Sequence, residues 1–402
     1  MENFYSPRTR RKSPTRKRVG VALLVFFLIL IGIGIYKVAN YLPVLWQLAS
    51  QHDVKLKETP EKKVNILLLG IGGGDHDGPD LTDTIIFSSV DPKTKKVTLM
   101  SLPRDLWIPE ISSKINGNYT FAEEKQKGSG LQSTKAIVSN IMGQQIDYAV
   151  KIDFSGFEKA VDEMGGLDID VARTFDDYAY PITGKERDPC GKNETQIASL
   201  SGQLASGSAT ELDAFPCRYE HLHFNKGKQH MNGTTALKYV RSRHALGKEG
   251  SDFARSQRQA KVITAFKDKL FSAGTLLNPA KVTNIISTLE GSIEMDIKQD
   301  EIDDFVRLAQ QMKGSKVVSG VVDTGDGDED RLGLLVNPPI SAEFGNAWVL
   351  TPRAGSEDYS EIQAYVRCVL AGKTCLVTDY GIATPTPKPK KTPTPSIHRT
   401  AQ

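Results

Sequence analysis

The feature that most constrains this chain is an apolar run near its beginning. Residues 19–36 hold 18 residues without a charge, which as a helix cover about 27 Å, close to the hydrocarbon thickness of a bilayer. Seven basic residues and one acid precede this run, so the positive-inside rule places residues 1–18 in the cytoplasm. A cleavable signal peptide is the alternative, but its apolar core is usually shorter and ends at a small-residue cleavage motif. We predict a transmembrane signal-anchor helix at 19–38 and a single-pass protein of the cell membrane, with the rest of the chain outside the cytoplasm.

The exported part divides into three segments by composition. Residues 39–63 are a mixed polar spacer, and residues 64–380 carry the apolar patterns of a folded domain. Residues 381–402 are rich in Thr, Pro and Lys, which predicts an extended, disordered tail. The net charge of +3 is more than accounted for by the basic residues before the anchor, so the exported part is close to neutral and nucleic acid is not an expected partner.

Strand and helix patterns alternate along the domain. Apolar runs predict strands at 64–69, 84–90, 97–102 and 167–171. Apolar residues spaced three and four apart predict helices at 134–142, 154–164, 252–271, 279–289 and 301–312. Between about 173 and 230 the pattern gives way to Gly, Ser, Pro and Asp, which predicts an insertion or long loop. The alternation indicates an α/β fold, with a central sheet flanked by helices.

All four cysteines lie on the exported side, where disulfides form. The short separations favour pairing Cys190 with Cys217 and Cys368 with Cys375, although four cysteines allow three pairings. A zinc site is the competing interpretation, because Cys190 and Cys217 are followed by His221 and His223. The sequence lacks the regular spacing of most zinc motifs, so two disulfides are the preferred prediction.

Glycines and aspartates follow the first predicted strand. Gly70 and Gly72 to Gly74 are succeeded by Asp75, Asp77, Asp80 and Asp83. Glycines allow close approach of the backbone to a ligand, and spaced carboxylates suit a hard cation such as Mg²⁺. The same composition is also typical of a solvated turn.

A set of cationic residues suggests an anion site. Arg104 ends the third predicted strand, and ligands of open α/β sheets lie beyond the carboxyl ends of strands. Arg241 and Arg243 precede a helix predicted to start near Asp252, and that helix carries Arg255 and Arg258 near its N-terminus, with Gln259 beside them. Arginines at the positive end of a helix dipole are unfavourable unless an anion lies nearby. We therefore predict a phosphate or pyrophosphate site; pairing of these arginines with acids of the domain is the alternative.

The ordered set of motifs resembles the LytR-CpsA-Psr family. The resemblance rests on ILLLG at 66–70, TDT at 82–84, SLPRD at 101–105, KIN at 114–116, GG at 165–166, NG at 232–233 with AL at 236–237, RSR at 241–243 and DFARSQRQ at 252–259. It covers about 64–269 and is interrupted by the predicted insertion. It implies a layered α/β/α domain with a mixed sheet.

The resemblance also implies an activity and roles for residues. Members of the family transfer a glycopolymer from an undecaprenyl-pyrophosphate carrier to the 6-hydroxyl of N-acetylmuramic acid in peptidoglycan, in a Mg²⁺-dependent phosphotransferase reaction. By resemblance the catalytic residues are Arg104, Asp105, Arg241, Arg243 and Asp252. The pyrophosphate-binding residues are Arg104, Lys114, Arg241, Arg243, Arg255, Arg258 and Gln259. Asp83 is the implied metal ligand, and Asp105 and Asp252 are expected to orient arginines.

Two positions depart from the family pattern. Many members have an Asp where this chain has Gly72 and an Arg where it has Leu81. Asp75, Asp77 and Asp80 are therefore candidate substitutes as metal ligands.

Three other functions compete with transfer to peptidoglycan. They are transfer of the glycopolymer to a surface protein, a non-catalytic role as a regulator of the cell envelope, and a structural role in wall binding. The last predicts that the arginine cluster is dispensable. The 18 cytoplasmic residues are too few for a folded DNA-binding domain.

Overall fold

The computed structural model describes residues 56–74, 78–270, 288–289, 291–298, 301–326, 331–379 and 381–384. The predicted cytoplasmic segment, the anchor at 19–38, residues 39–55 of the spacer and most of the helix expected at 279–289 lie outside these ranges. So do Asp75, Asp77, residues 385–402 and the side chain of Asp252. Within the described ranges, no helix combines the length and the apolar character that crossing a membrane requires.

Strands and helices alternate as the apolar pattern predicts. The longer strands are β1 Val64–Ile71, β2 Thr82–Asp91, β3 Lys96–Leu102, β6 Tyr148–Asp153, β7 Leu167–Val171, β8 Phe175–Pro181, β9 Tyr219–Phe224, β10 Gly227–Met231, β11 Ile293–Met295 and β12 Lys316–Val321. The shorter strands are β4 Trp107–Ile108, β5 Ser113–Lys114, β13 Gly325–Asp326, β14 Arg331–Leu332, β15 Leu335–Val336, β16 Thr351–Pro352, β17 Leu376–Thr378 and β18 Gly381–Ala383. The helices are α1 Asn118–Lys125, α2 Gly130–Met142, α3 Phe154–Glu163, α4 Glu194–Ala205, α5 Glu211–Ala214, α6 Gly233–Arg241, α7 Asp252–Leu270, α8 Ile302–Gln311 and α9 Ser360–Leu370.

Six strands form one mixed sheet. Their order is β11-β6-β1-β2-β3-β12, with β1 parallel to β6 and β3 parallel to β12. The pairs β1–β2, β2–β3 and β6–β11 are antiparallel. The fold is therefore mixed α/β with a central mixed sheet between helices, as predicted.

The two faces of the sheet differ in how they are covered. On one face Leu67 and Phe87 pack against α2 and α9 in a continuous apolar core, which includes Val138 and Ile362. On the other face Ile86 and Leu99 meet Ala260 of α7 in a much smaller cluster, with Leu68 alongside. Because successive side chains of a strand point to opposite faces, β1 contributes Leu67 to the dense core and Leu68 to the sparsely packed face.

Local sequence explains how the helices over the sparsely packed face are fixed. Asp153 accepts a hydrogen bond from the Gly156 N–H at 2.7 Å and caps α3. The Gly165-Gly166 pair ends that helix with positive φ angles of 75° and 77°. Gly233, at the start of α6, lies so close to α3 that a Cβ atom there would sit 2.2 Å from the Glu158 carbonyl oxygen.

Of the two predictions for the segment between about 173 and 230, an insertion or a long loop, the long loop is wrong. The segment contains the antiparallel hairpin β8–β9, the helices α4 and α5, and β10, which pairs with β7. Two boundaries also shift. Residues 56–63 of the predicted spacer join the domain, since Leu56 is buried and the Lys57 N–H donates to the Tyr148 hydroxyl at 2.8 Å. Gly381–Ala383, assigned to the tail, pairs with Leu376–Thr378.

Both predicted disulfides are present. Cys190 is bonded to Cys217 and Cys368 to Cys375. The zinc alternative is therefore wrong, because both of its cysteines are oxidised. Its histidines instead share one carboxylate, with His221 Nε2 and His223 Nδ1 each 2.8 Å from Asp176 Oδ1.

Candidate functional site

A cavity of about 430 Å³ lies between the sparsely packed face of the sheet and the helices that cover it. Its apolar wall comes from three strands and three helices and consists of Leu68, Ile86, Val150, Ile152, Phe154, Phe157, Leu237, Val240, Val262 and Ile263. Protein interiors are normally packed with few voids larger than a water molecule, so an apolar hollow of this size indicates a ligand site.

The resemblance implies an apolar groove for the prenyl chain of the carrier, and its candidate walls are the helices that contain Ile137, Ile141, Phe154, Phe157, Val161, Ile263 and Phe266. Phe154, Phe157 and Ile263 do line the cavity. Ile137 and Ile141 instead belong to the core on the opposite face of the sheet. Val161 and Phe266 pack in a separate core behind the cavity.

The mouth of the same cavity is cationic. Six of the predicted site residues line it, namely Asp83, Arg104, Arg241, Arg243, Arg255 and Gln259. These residues come from β2, the loop after β3, the end of α6 and the first two turns of α7. The fold thus brings together side chains that are separated by up to 176 positions in the chain, from Asp83 to Gln259.

Arg104 is held between two carboxylates. Its guanidinium forms an ion pair with Asp83, and its Nε lies 3.5 Å from Asp105 Oδ2. Burial lowers the pKa of Arg104, but the two carboxylates outweigh burial and raise its pKa above the ordinary value. Arg104 is therefore a permanent positive charge in a fixed place.

Asp105 and the KIN motif position Arg104 from behind. Asp105 Oδ1 accepts a hydrogen bond from Lys114 Nζ at 2.7 Å, and the Asn116 N–H donates to the Arg104 carbonyl oxygen at 3.2 Å. Lys114 does not line the cavity. The structure thus places Lys114 behind Arg104, on the Asp105 carboxylate, and not at the predicted pyrophosphate position.

Arg241 lies over aromatic rings. Its guanidinium carbon is 4.2 Å from the centroid of the Phe154 ring and 5.7 Å from that of Tyr180. Stacking on a ring favours a flat cation and restricts its orientation. Tyr180 is on β8, in the segment predicted to be an insertion or long loop, so this contact was not predicted from the sequence.

Helix α7 presents its predicted ligands to different sides. Arg255 Nη2 donates to the Asp83 carbonyl oxygen at 3.0 Å, and both Arg255 and Gln259 line the cavity. They are four residues apart and so lie on one face of the helix. Arg258 lies three residues after Arg255 and one before Gln259, which turns its side chain to the flank of that face.

Arg258 is buried against main-chain atoms, with its side chain 2% exposed. It donates to the carbonyl oxygens of Tyr239 at 3.0 Å, Ser242 at 2.7 Å and Glu249 at 2.8 Å, and to the Glu249 carboxylate at 3.0 Å. Burial lowers the pKa of Arg258, and the Glu249 carboxylate opposes that effect. Arg258 lines neither of the two cavities at the site, and its hydrogen bonds instead join α7 to the loop that follows Arg241 and carries Arg243.

The hairpin β8–β9 supports the same loop. Asp177 is fully buried, and its Oδ2 accepts from the Ser242 hydroxyl at 2.6 Å and from the His244 N–H at 3.2 Å. The Leu246 N–H donates to the Asp176 carbonyl oxygen at 2.9 Å. Asp177 was not predicted as a site residue, because nothing in the sequence distinguishes it from the other aspartates of the domain.

Two carboxylates on the cavity wall could hold a hard cation. Asp83 was predicted as a ligand, whereas Asp153 was not. Asp153 pairs with Ile71 in the parallel register of β1 and β6, so it lies beside Gly72, where many members of the resembled family have an aspartate. Asp80 is exposed and lines neither cavity. Oxygen donors in this number fit Mg²⁺, which prefers one or two carboxylates plus phosphate oxygens and water.

A second cavity, of about 560 Å³, adjoins the first at the arginines. Arg104, Arg243, His244 and Arg255 line both cavities. The remaining wall of the second cavity is formed by Gly250, Ser251, Phe253, Asp323, Thr324 and Gly325. The cationic cluster therefore separates an apolar space from a polar one.

Comparison with known proteins agrees with this architecture. The model of the LytR_cpsA_psr family matches residues 45–330, which is more than half of the chain. The chain is 27% identical over 317 residues to the polyisoprenyl-teichoic acid–peptidoglycan teichoic acid transferase TagV of Bacillus subtilis, covering 77% of this chain and 69% of TagV. It is 24% identical over 323 residues to the transferase TagU of Bacillus licheniformis, covering 76% of this chain and 87% of TagU.

Solved structures show the same fold. The crystal structure of protein gbs0355 from Streptococcus agalactiae superposes with a TM-score of 0.50 at 18% identity, covering 77% of this chain and 88% of gbs0355. With the family model spanning the sheet, the arginines and the cavity, the chain belongs to the LytR_cpsA_psr family.

Proposed function

We propose that this chain is a membrane-anchored phosphotransferase that moves a glycopolymer from a polyprenyl-pyrophosphate carrier to peptidoglycan. The observation that carries the proposal is the junction of an apolar cavity with a mouth of four arginines. A ligand with a long hydrocarbon tail and a pyrophosphate head matches both parts. The names of TagV and TagU, which describe transfer of teichoic acid from a polyisoprenyl carrier to peptidoglycan, support the same reaction class.

The apolar wall binds the prenyl tail and the arginines bind the head group. Burial of the tail between Leu68, Phe157 and Ile263 removes hydrocarbon from water, at about 25 cal/mol per Å² of apolar surface. Arg241, Arg243 and Arg255 offer forked N–H donors that match phosphate oxygens in pairs. Gln259, four residues after Arg255, adds a neutral donor at the same mouth.

The chemical step exchanges one bond to phosphorus for another. The acceptor's primary hydroxyl attacks the sugar-bearing phosphorus and forms a new P–O bond, while the P–O bond to the bridging oxygen breaks. Polyprenyl phosphate leaves with that oxygen, and a carboxylate of the site accepts the proton that the hydroxyl loses. The product is a phosphodiester. Such a transfer depends on positioning and charge stabilisation more than on a covalent nucleophile.

Asp83 and Asp153 are the residues that would hold Mg²⁺, and the ion would neutralise charge on the phosphate oxygens. Asp83 is also paired with Arg104. Isothermal titration of Mg²⁺ in the presence of a non-hydrolysable pyrophosphate analogue tests this assignment without measuring turnover. Asp83→Asn should weaken Mg²⁺ binding about tenfold or more, in line with loss of one ligand. Asp80→Asn, an exposed carboxylate outside both cavities, is the matched control.

The predicted anchor gives the enzyme its place of action. A polyprenyl carrier resides in the membrane, so a helix at 19–38 would keep the domain at a high effective concentration near its donor. Deletion of residues 1–38 should then impair transfer from carrier in vesicles more than transfer from a short-chain soluble carrier. Equal loss with both donors would count against this role.

The activity itself is tested with the full chain in detergent micelles. The assay supplies a synthetic polyprenyl-pyrophosphate oligosaccharide, Mg²⁺ and peptidoglycan fragments, and it follows formation of the linked product and release of polyprenyl phosphate. Arg243→Ala should lower kcat/KM by about 100-fold or more, as expected when a donor aimed at developing charge is removed. Arg367→Ala, an exposed arginine of α9, is the matched control.

Each alternative function gives a different result when the assay is repeated with a surface protein as the acceptor. If the wild-type chain transfers glycan to a surface protein but not to peptidoglycan, the proposed acceptor is wrong and the proposed phosphotransferase reaction is retained. If neither acceptor is used and no polyprenyl phosphate is released, the enzyme proposal fails in favour of a regulatory or structural role. If Arg243→Ala matches an active wild type, the site assignment fails.

A further inference from the structure

The arginine cluster is shared between the apolar cavity and a polar one. Arg104, Arg243, His244 and Arg255 form the shared wall. The far wall comes from two places, the residues Gly250 to Phe253 at the start of α7 and the turn Asp323 to Gly325 that follows β12. The apolar cavity has no contribution from either segment.

In-line phosphoryl transfer assigns different groups to the two sides. The attacking and leaving oxygens lie roughly opposite each other across phosphorus. The leaving group is polyprenyl phosphate, whose tail belongs in the apolar cavity. The attacking hydroxyl must therefore approach from outside the apolar cavity, and the polar cavity is the adjoining space that shares the arginines.

The polar cavity carries one aromatic ring that is open to solvent. Phe253 is 39% exposed, and the Arg331 guanidinium lies 4.9 Å from its ring centroid. A sugar ring presents a flat face of C–H groups that packs well on an aromatic ring, while its hydroxyls remain at the edge for hydrogen bonding. An exposed ring beside polar groups is thus suited to a carbohydrate.

The turn Asp323 to Gly325 is held in place by hydrogen bonds and by close packing. Asp323 is buried, and both of its carboxylate oxygens accept from Arg331, at 2.9 and 2.6 Å. The Gly325 N–H also donates to Asp323 Oδ1 at 3.0 Å, and a Cβ atom at Gly325 would lie 2.2 Å from the Arg331 carbonyl oxygen. The turn therefore keeps its shape, and the same Arg331 that fixes it lies over Phe253.

We propose that the polar cavity binds one sugar unit of the acceptor glycan, with Phe253 as its stacking platform and the turn Asp323 to Gly325 as another part of its wall. This inference rests on the proposed function and adds the place and the chemistry of acceptor recognition. Phe253 is then a specificity-determining residue for the acceptor, and Arg331 positions both walls. The donor's pyrophosphate and tail do not contact Phe253.

The test separates acceptor binding from donor binding. The experiment compares full-length wild type in detergent micelles with the variants Phe253→Ala and Phe253→Trp. The control is Phe121→Ala, because Phe121 is 45% exposed and lines neither cavity. Titration calorimetry measures binding of a disaccharide peptidoglycan fragment and, separately, of a polyprenyl-pyrophosphate glycan. The transfer assay gives KM for the fragment.

Phe253→Ala should weaken fragment binding and raise its KM about five- to tenfold, with donor affinity changed less than twofold. Phe253→Trp should restore both values, and Phe121→Ala should leave them unchanged. Unaltered fragment binding in Phe253→Ala, or a parallel loss of donor affinity, would overturn the inference. Because fragment binding needs no turnover, its result stands even if the wild-type chain transfers nothing, which would refute the proposed function instead.

Discussion

Arg258 Nη2 donates a hydrogen bond of 2.7 Å to the carbonyl oxygen of Ser242, the residue between Arg241 and Arg243. This bond joins the middle of α7 to the loop that carries two of the cavity's cations. Ser242 is itself fully buried, and its hydroxyl donates to Asp177. The flanking arginines thus point to the cavity because the residue between them is held on the opposite side.

Arg258→Met should destabilise the domain and disorder this loop. The change leaves three carbonyl oxygens without their donor and leaves the Glu249 carboxylate with only Arg173, at 3.6 Å, so we expect a loss of about 3–5 kcal/mol in the free energy of unfolding. Urea denaturation measures the loss, with Arg367→Met on the surface of α9 as the control. Weaker donor binding at unchanged stability would instead mean that Arg258 contacts the ligand.

Ile263→Trp should fill part of the apolar cavity and compete with the prenyl tail. Displacing about two methylene groups, at about 0.8 kcal/mol each, corresponds to roughly tenfold weaker binding of a long-chain carrier. A carrier with a short tail should bind as it does to wild type. The control is Ile340→Trp, at a position that is 64% exposed. If short and long carriers lose affinity equally, the tail does not occupy this cavity.

The two disulfides should contribute unequally to stability. Cys190–Cys217 closes a separation of 27 residues and Cys368–Cys375 one of 7. Loop-closure entropy then gives about 3.5 kcal/mol for the first and about 2.5 kcal/mol for the second. Paired Cys→Ala variants, compared by thermal unfolding, measure both contributions. A larger loss from the shorter loop would show that local packing, and not chain entropy, dominates.

The hairpin β8–β9 should be more stable near pH 6 than near pH 8. The hydrogen bond to Asp176 raises the pKa of His223, with a smaller contribution from Asn225. A raised pKa in the folded state stabilises the protein below the unfolded value of about 6.5, and this contribution is lost as pH rises through the folded value. Asp176→Asn should return the NMR titration of His223 towards its ordinary pKa. Asp379→Asn, in the turn before β18, should leave it unchanged.

The strands and helices over the sheet were predictable because each carries a local pattern. The strand at 167–171 was predicted with its observed bounds, and α7 was placed to within one residue at its end. Each of these segments buries one continuous stripe or face, so its apolar residues recur in the sequence at the spacing of a helix or a strand. The hairpin β8–β9 was missed because exposed His221 and His223 alternate with buried Leu222 and Phe224 over only six residues, among turn-forming neighbours.

The sequence predicted which residues lie at the site, but not which of them line the cavity. Four of the five arginines placed around an anion do line the cavity. Arg258 could not be told from Arg255 by residue type, since the difference lies in three carbonyl oxygens supplied by residues 9 to 19 positions away. Asp153 was hidden for a related reason, because only the register of β6 against β1 brings it beside Gly72.

The predicted anchor and the docking of residues 56–63 onto the domain would together limit how far the site stands from a membrane. A spacer of 25 residues, from 39 to 63, would extend at most about 85 Å at roughly 3.4 Å per residue. With Leu56 buried and Lys57 bonded to Tyr148, at most the 17 residues 39–55 would be left to act as a tether, which is about 58 Å at full extension. Under the proposed function, the wall layer within reach would then be thinner by nearly a third than the composition of the spacer suggests.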